Sequence, residues 1–289
     1  MSDEYQRLLS ATINHLEDLK NRGTHFVTVD ASILATLSQR VKFGSTPPPQ
    51  LQTSSKPRFV PKPERSEKPS PVSVVSVVAV ENGGKQTAME ELRKRVMPCV
   101  KCAHLASSRE TVVFGVGNIE SPLMFVGEAP GADEDAQGEP FVGKAGELLT
   151  RIIQTMGFSR ETVYIANVLK CRPDTPGKTT GNRKPTSDEM KTCLPYLLDQ
   201  IDIIKPSVIV ALGATAVEGL FGKPTLITKL RGNWQTFNGT PVMPTFHPSY
   251  LLHNQALSEK RKVWEDMLQV MEKLDAPISE KQRNYFLKA

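Results

Sequence analysis

The stretch LMFVGEAPGADED, residues 123–135, decides the class of the fold. Its first five residues are apolar and end in glycine, which is typical of a short strand buried on both faces of a parallel sheet. A loop rich in glycine, proline and acidic residues follows at the point where such a strand would end. Because ligands of parallel α/β sheets bind at the carboxyl ends of the strands, the stretch predicts a parallel sheet with a functional loop after a core strand.

The rest of this region repeats the alternation of buried strands and helices. Apolar runs at 163–168 and 207–213 predict two further strands, and 233–246 predicts a hairpin with an Asn-Gly turn whose second arm is the fourth strand. Helices are predicted between and after these strands, at residues 144–156, about 187–205, 214–221 and about 258–274. We therefore expect an α/β fold, a three-layer α/β/α sandwich with a central, mostly parallel four-stranded sheet.

The N-terminal part of the chain has a different composition. Residues 1–43 hold two stretches of helical apolar spacing, and 44–71 hold eight prolines among 28 residues, which predicts a disordered linker. The run VSVVSVVAV at 72–80 has strand propensity and is interpreted as the end of this linker or as a docking strand. We expect four parts along the chain: a helical segment 1–43, a linker 44–85, the α/β domain 86–276 and a tail 277–289.

Charge and hydropathy narrow the class of protein. The net charge is +5, and +3 of it falls within residues 44–71, which carry five basic and two acidic side chains. This mildly basic balance allows a polyanionic partner without requiring one. No apolar run is long enough to span a membrane, and the N-terminus has no apolar core of a signal peptide. We therefore expect a cytoplasmic protein without a membrane partner.

The chain has four cysteines, and a reducing compartment argues against disulfides between them. Cys99 and Cys102 form a C-x-x-C pair, Cys171 follows the second predicted strand, and Cys193 lies on the next predicted helix. A loop and a helix can converge with the C-x-x-C segment on one centre. The spacing favours a metal site over free thiols and leaves open tetrahedral zinc and a 4Fe–4S cluster.

One near-match to a known motif is excluded on chemical grounds. Residues 138–145, GEPFVGKA, almost fit a phosphate-binding loop. Ala145, however, has no hydroxyl for a magnesium ion, and Pro140 lacks the amide that the phosphate cradle needs. The sequence therefore does not predict nucleotide hydrolysis.

Five short motifs occur in order over roughly residues 90–275: GEAPGADED, GEPFVGKAGELL, NVLKCRP, CLPYL and HPSYLL. Together with the four cysteines they resemble the family-4 uracil-DNA glycosylases, the iron–sulfur branch of that superfamily. The resemblance implies a structural 4Fe–4S cluster on Cys99, Cys102, Cys171 and Cys193. It also implies a monofunctional glycosylase that flips uracil out of DNA and hydrolyses its N-glycosidic bond in base-excision repair.

The resemblance also assigns roles to single residues. Asn167 would read the uracil edge, His247 would donate to the base as negative charge develops, and Glu128 would support catalysis. The residues expected around the base are Phe141, as a stacking ring, with Gly127, Ala129 and Gly131. The residues expected to contact DNA are Arg172, Ser249, Tyr250 and Leu251, with Lys170 as a further phosphate contact and Tyr250 or Leu251 filling the gap left by the flipped base.

Two other functions are compatible with the four cysteines. The first is a non-catalytic iron–sulfur DNA-binding module related to a phage-type DNA polymerase domain, and the second is a zinc-bound structural protein. Asn167, His247 and Phe141 together favour the enzyme, which we expect to be a monomer acting on uracil-containing DNA. Residues 1–85 lie outside the resemblance and are expected to contact a replication or repair protein.

Overall fold

The computed structural model of the protein describes residues 75–174 and 182–287. The two predicted N-terminal helices and most of the predicted linker lie outside the described residues. Among the described residues, no helix is long and apolar enough to cross a membrane.

A six-stranded sheet forms the centre of the α/β domain. Its strands are β1 (Val116–Gly117), β2 (Leu123–Gly127), β3 (Tyr164–Asn167), β4 (Val208–Leu212), β5 (Gln235–Phe237) and β6 (Thr240–Thr245), in the spatial order β1-β3-β2-β4-β6-β5. The four inner strands are parallel to one another, as predicted. The two edge strands are antiparallel additions: β5 is the first arm of the predicted hairpin, and β1 was not predicted.

Helices cover both faces of the sheet. They are α1 (Val75–Val96), α2 (Ala103–Ser108), α3 (Ala132–Gln137), α4 (Lys144–Thr155), α5 (Ser187–Ile204), α6 (Ala214–Phe221), α7 (Ile227–Leu230), α8 (Pro248–His253), α9 (Leu257–Lys273) and α10 (Glu280–Arg283). The four helices predicted between the strands are confirmed with end points shifted by two residues or fewer. The interpretation of 72–80 as a strand or linker end is wrong for its described part, because α1 begins at Val75, inside the predicted linker 44–85.

Alternate side chains of each inner strand enter one of two apolar cores. On β2, Met124 and Val126 pack in the core that includes α1, α5 and α6, whereas Leu123 and Phe125 pack in the core with α4 and α9. All five residues of β2 and all five of β4 are buried. This two-sided burial confirms the three-layer sandwich and explains the uninterrupted apolar runs in the sequence.

Strand register brings the functional loops to one edge. Gly127 and Asn167 are paired as the last residues of β2 and β3, and Leu212 pairs with Thr245 near the ends of β4 and β6. The loops that leave these four strands therefore start side by side.

Near the C-terminal end of the described residues, the α10 segment packs on the domain. Trp264 on α9 donates its indole N–H to the carbonyl of Gln282, and the Gln282 side chain donates to the carbonyl of Thr155.

Candidate active site

A cleft of about 470 Å³ opens at the carboxyl ends of the parallel strands. Its walls include Glu128, Phe141, Asn167 and His247. These residues come from three separate loops and from the end of β3, and all of them were predicted from the sequence to belong to one site. The structure thus brings the predicted catalytic and stacking residues together around one cavity.

Asn167 presents an unpaired acceptor to this cleft. The residue is 2% exposed, and its side-chain Oδ1 makes no hydrogen bond to the described parts of the chain. A buried polar atom without a partner costs about 1–3 kcal/mol, so its persistence points to a ligand that supplies the missing donor. The neighbouring Gly127 leaves room for this atom, because a Cβ at Gly127 would lie 2.3 Å from Oδ1.

His247 is held as a neutral imidazole with a defined tautomer. Its Nδ1 accepts a hydrogen bond of 3.1 Å from the backbone N–H of Ser249 and lies 2.7 Å from the Ser249 hydroxyl. Burial lowers the pKa of His247 to about 4, although the nearby Glu134 carboxylate acts in the opposite direction. Because Nδ1 is an acceptor here, the neutral ring carries its proton on Nε2, where it can donate to a ligand.

Phe141 forms the aromatic wall of the cleft. Its ring centroid lies 5.6 Å from that of His247, with 33° between the ring planes. A Cβ on Gly127 would come within 2.4 Å of the Phe141 ring, so the glycine makes room for Phe141 as well as for Asn167. The side chain is 6% exposed, and a planar base entering the cleft would meet this ring.

Two carboxylates of the first loop have different environments. The Glu128 side chain lines the cleft and makes no hydrogen bond within 75–174 and 182–287, which leaves it available to water or to a ligand. The Glu134 side chain instead accepts backbone N–H groups from Gly131 at 2.9 Å, Val142 at 3.0 Å and Gly143 at 3.1 Å. Glu134 was not among the residues predicted for this site. The signal that could have identified it is its position three residues after Gly131, the capping residue of α3.

The other two small residues expected around the base lie in the same loop. Ala129 lines the cleft and offers no carboxylate. Gly131 also lines it, and a Cβ at this position would lie 2.6 Å from Glu134 Oε2. Gly131 is therefore required for the contact between the loop and the Glu134 carboxylate.

Several basic side chains near the cleft have partners within the chain. Lys170 was predicted to contact phosphate, but it is 1% exposed and donates to the Asn167 carbonyl at 3.0 Å and to Gln200 at 2.6 Å, so it cannot reach DNA. Arg172 donates to the side chain of Asn182 at 2.9 Å. In the loop after it, Arg183 and Lys184 form ion pairs with Glu189 and Glu218.

The residues after His247 divide into exposed and buried. Tyr250 is 37% exposed, and its hydroxyl hydrogen-bonds to Glu259 at 3.1 Å. Leu251 is 5% exposed and packs in a small apolar cluster with Phe246 and Val263. Of the two residues predicted to fill the gap left by a flipped base, Tyr250 is therefore the accessible one. Ser249 lies at the rim, with its hydroxyl against His247.

All four cysteines line one small cavity of about 20 Å³ beside the sheet. None of them forms a disulfide, and Cys102 lies at the start of α2 while Cys193 lies within α5. In the described part of the chain, no group of three or more His, Cys, Asp or Glu side chains has the spacing that a single metal ion needs. The four cysteines thus share one cavity.

The charges around this cavity fit an anionic group held by thiolates. Arg109 donates to Cys171 Sγ at 3.2 Å and to the carbonyl of Cys99 at 2.7 Å. The buried ammonium of Lys170 has a carbonyl and an amide oxygen as partners instead of a carboxylate, and its backbone N–H donates to Cys193 Sγ at 3.2 Å. Burial raises the pKa of Cys193 to about 12, so metal binding must displace this proton. When the four thiols bind a metal centre as thiolates, the thiolates and the metal together carry a net negative charge. The two cations offset this charge.

The chain matches one protein family and several of its members. The family model of the uracil DNA glycosylase superfamily matches residues 114–268. A type-4 uracil-DNA glycosylase of Thermotoga maritima is 48% identical over 187 residues, which cover 63% of this chain and 93% of the relative. A type-4 uracil-DNA glycosylase of Saccharolobus solfataricus is 42% identical over 200 residues, with coverage of 66% and 87%.

A more distant relative belongs to another class of protein. A DNA polymerase of Bacillus phage SP01 is 32% identical over 139 residues, which cover 48% of this chain and 14% of the polymerase. The type-4 relatives, in contrast, match along most of their own length, and the family model covers more than half of this chain. The chain therefore belongs to the uracil-DNA glycosylase superfamily, together with its type-4 members.

Proposed function

We propose that the protein is a monofunctional uracil-DNA glycosylase that hydrolyses the N-glycosidic bond of a uracil flipped out of DNA. The observation that carries this proposal is the unpaired Oδ1 of Asn167, buried in the same cleft as a neutral His247 and the Phe141 ring. Enzymes that act on a base within DNA must extrude it into a pocket, which costs a few kcal/mol. The hydrogen-bonding groups of Asn167 and the aromatic face of Phe141 can offset this cost by binding the extruded base.

Asn167 supports selection of uracil. In the proposed complex, Oδ1 accepts the N3–H of uracil and the side-chain NH₂ donates to O4. Cytosine presents an unprotonated N3 and an amino group at these positions, so both pairings are lost. A buried site that is built to hydrogen-bond one edge rejects the other strongly, because its polar groups would be left unpaired.

His247 supports departure of the base. The bond between uracil N1 and deoxyribose C1′ breaks, and its electron pair leaves with the uracil ring as an anion. In the proposed complex, the Nε2–H of His247 donates to uracil O2, where part of this charge resides. A preorganised donor of this kind contributes about 2.7–4 kcal/mol to the transition state.

Glu128 supports the arrival of water. As the base departs, the sugar gains positive charge, and the oxygen of a water molecule bonds to C1′. The carboxylate of Glu128 faces the cleft without a hydrogen-bond partner among the described residues. We infer that it orients this water and accepts its proton, and that Glu134, committed to three backbone amides, does not.

The rim of the cleft supports binding of DNA. Tyr250 is the exposed aromatic residue beside His247, and we propose that it fills the gap that the flipped base leaves in the stack. Ser249 and Arg172 are the proposed phosphate contacts, with Arg172 oriented by Asn182. Base-excision repair is the process that this reaction serves.

We propose that Cys99, Cys102, Cys171 and Cys193 hold a 4Fe–4S cluster. A cavity bordered by four thiols, with the Arg109 guanidinium donating to one of them, supports a metal centre, and the resemblance to the iron–sulfur branch favours a 4Fe–4S cluster over zinc. When bound, the cluster supplies cross-links between α5 and the loops before α2 and after β3. Lys170 then joins this region to the carbonyl of Asn167, so we assign the cluster a structural role. Metal thiolates of this kind also support a cytoplasmic location.

The second candidate function is a non-catalytic DNA-binding module, which the similarity to part of a phage DNA polymerase favours. The two candidates separate on a labelled oligonucleotide that contains one uracil. The enzyme leaves an alkali-labile site, and Asn167→Ala is expected to slow its formation strongly. Binding without alkali-labile product in the wild type would support the module and contradict the enzyme. Removing residues 1–85 tests whether that segment recruits a replication or repair protein.

A further inference from the structure

Phe141 adopts a backbone conformation that its residue type disfavours. Its φ is +56°, in the left-handed region that side chains other than those of glycine and asparagine rarely occupy. Residues held in this way cluster at ligand-binding sites and persist only when their surroundings enforce them. The question is therefore which groups hold the turn that carries the Phe141 ring.

Arg160 holds the first half of this turn. Its guanidinium donates from Nη1 to the Phe141 carbonyl at 3.0 Å and from Nη2 to the Pro140 carbonyl at 2.7 Å. Arg160 lies 19 residues after Phe141, beyond the end of α4, and it forms no ion pair with a carboxylate in the described parts of the chain. The half-buried guanidinium thus donates mainly to two backbone oxygens, with a longer hydrogen bond of 3.5 Å to the Thr150 hydroxyl.

Glu134 holds the second half. Its carboxylate accepts the backbone N–H groups of Val142 and Gly143, the two residues that follow Phe141. Two side chains of opposite charge therefore fix four consecutive residues, 140–143, from different sides. Gly146 completes the packing, because a Cβ there would lie 1.9 Å from the Phe141 carbonyl oxygen.

We propose that Arg160 is a positioning residue that acts through Phe141, with Glu134 as its counterpart on the same turn. The inference rests on the proposed function, since it concerns the stacking of Phe141 on the extruded base. A ring that is already fixed loses little conformational entropy when a base stacks on it. More of the free energy of stacking therefore contributes to binding affinity. Without Arg160 the turn relaxes, and the ring must be ordered anew in each complex.

A double-mutant cycle between Arg160 and Phe141 tests this link. In the wild-type background, we expect Arg160→Gln to lower kcat/KM for a uracil oligonucleotide about tenfold, within the range that base–aromatic stacking supplies. In the Phe141→Ala background, the same change is expected to have about a twofold effect or less. Arg160→Lys, which keeps the positive charge but loses the planar pair of nitrogens that matches the two carbonyls, is expected to fall between. The control is Arg95→Gln, which removes an exposed arginine paired with Asp199 and should leave kcat/KM unchanged.

Backbone amide exchange gives a second readout that does not depend on activity. In Arg160→Lys, we expect faster exchange at Val142 and Gly143, with unchanged exchange in the strands. Equal losses of kcat/KM in both backgrounds, or unchanged exchange in this turn, would overturn the inference. If Arg160→Gln does not fold, the cycle is run with Arg160→Lys. Failure of the wild type to release uracil would instead remove the proposed function itself.

Discussion

Gly127 and Asn167 end neighbouring parallel strands as a register pair, and a Cβ on Gly127 would lie 2.3 Å from the Asn167 Oδ1 atom. The same Cβ would lie 2.4 Å from the Phe141 ring. The absence of a single methyl group thus allows the Asn167 amide at the end of β3 and the Phe141 ring of a separate loop to approach the same point at the sheet edge. The size of this residue, rather than its backbone freedom, is what the site needs.

Gly127→Ala is therefore expected to displace Asn167 and Phe141. We expect a fall in kcat/KM on uracil-containing DNA and a loss of about 1–3 kcal/mol in the free energy of unfolding, as is typical of overpacking. Kinetics and denaturant unfolding measure the two effects. Gly84→Ala is the matched control, because a Cβ there meets no atom within 4 Å. Full activity in Gly127→Ala would contradict the close packing of the cleft.

Replacement of Asn167 is expected to separate activity from stability. Because Oδ1 makes no hydrogen bond to the described residues, Asn167→Ala removes no intrachain partner and relieves a buried unpaired acceptor. We expect kcat to fall by about 10²–10³-fold, as for the loss of a preorganised polar group, while Tm stays equal or rises. Thermal unfolding and single-turnover kinetics check this. A large drop in Tm would show that the side chain supports the fold instead.

The titration of His247 is expected far below its ordinary range. Burial lowers the pKa of His247 to about 4, whereas the unfolded chain binds this proton near the ordinary histidine pKa of about 6.5. Between these values the unfolded state holds more protons, so this residue makes stability fall as the pH drops from 6.5 to 4 and leaves it unchanged above 6.5. Proton NMR of the imidazole gives the midpoint, with His247→Gln identifying the signal. A midpoint near 6.5 would contradict a buried neutral ring.

The proposed cluster predicts a defined metal content. We expect about four iron atoms per chain in anaerobically purified protein, together with sulfide and visible absorption. Cys171→Ser should lower all three, reduce Tm and reduce activity, because Cys171 lies four residues after Asn167 and accepts from Arg109. Iron analysis, spectroscopy and melting measure these changes. Full activity in protein without a cluster would contradict its structural role, and zinc in place of iron would contradict its identity.

Replacing Tyr250 is expected to change activity, whereas replacing Leu251 is expected to change stability. Tyr250 is 37% exposed and follows Ser249 at the cleft rim, so Tyr250→Ala should lower activity on double-stranded DNA more than on single-stranded DNA, where no gap in a stack needs to be filled. Leu251 is buried with Phe246 and Val263, so Leu251→Ala should destabilise the fold by about 2–5 kcal/mol. Comparing both variants on both substrates, with unfolding curves, tests the assignment. An equal effect of Tyr250→Ala on the two substrates would contradict its role as a wedge.

The sequence by itself determined the order of strands and helices and the loops that carry the site. The apolar runs ending at Gly127 and Leu212 predict strands because a strand buried on both faces has no polar alternation, and this signal is local. The motifs around Asn167 and His247 are local as well. Local propensity was misleading at the start of α1, where a β-branched run is helical in its described part, and it could not predict β1, whose two residues are too few to show a period.

Only the tertiary structure decided which charged and apolar side chains are available for function. Lys170 and Arg172 look alike in the sequence, yet Lys170 is buried on Gln200 and the carbonyl of Asn167 while Arg172 lies near the cleft rim. In the same way, the Glu134 carboxylate accepts hydrogen bonds from backbone N–H groups, whereas the Glu128 carboxylate accepts none from the described residues. The physical reason is that burial and hydrogen-bond partners come from segments far apart in the chain, so residue type and spacing do not determine them.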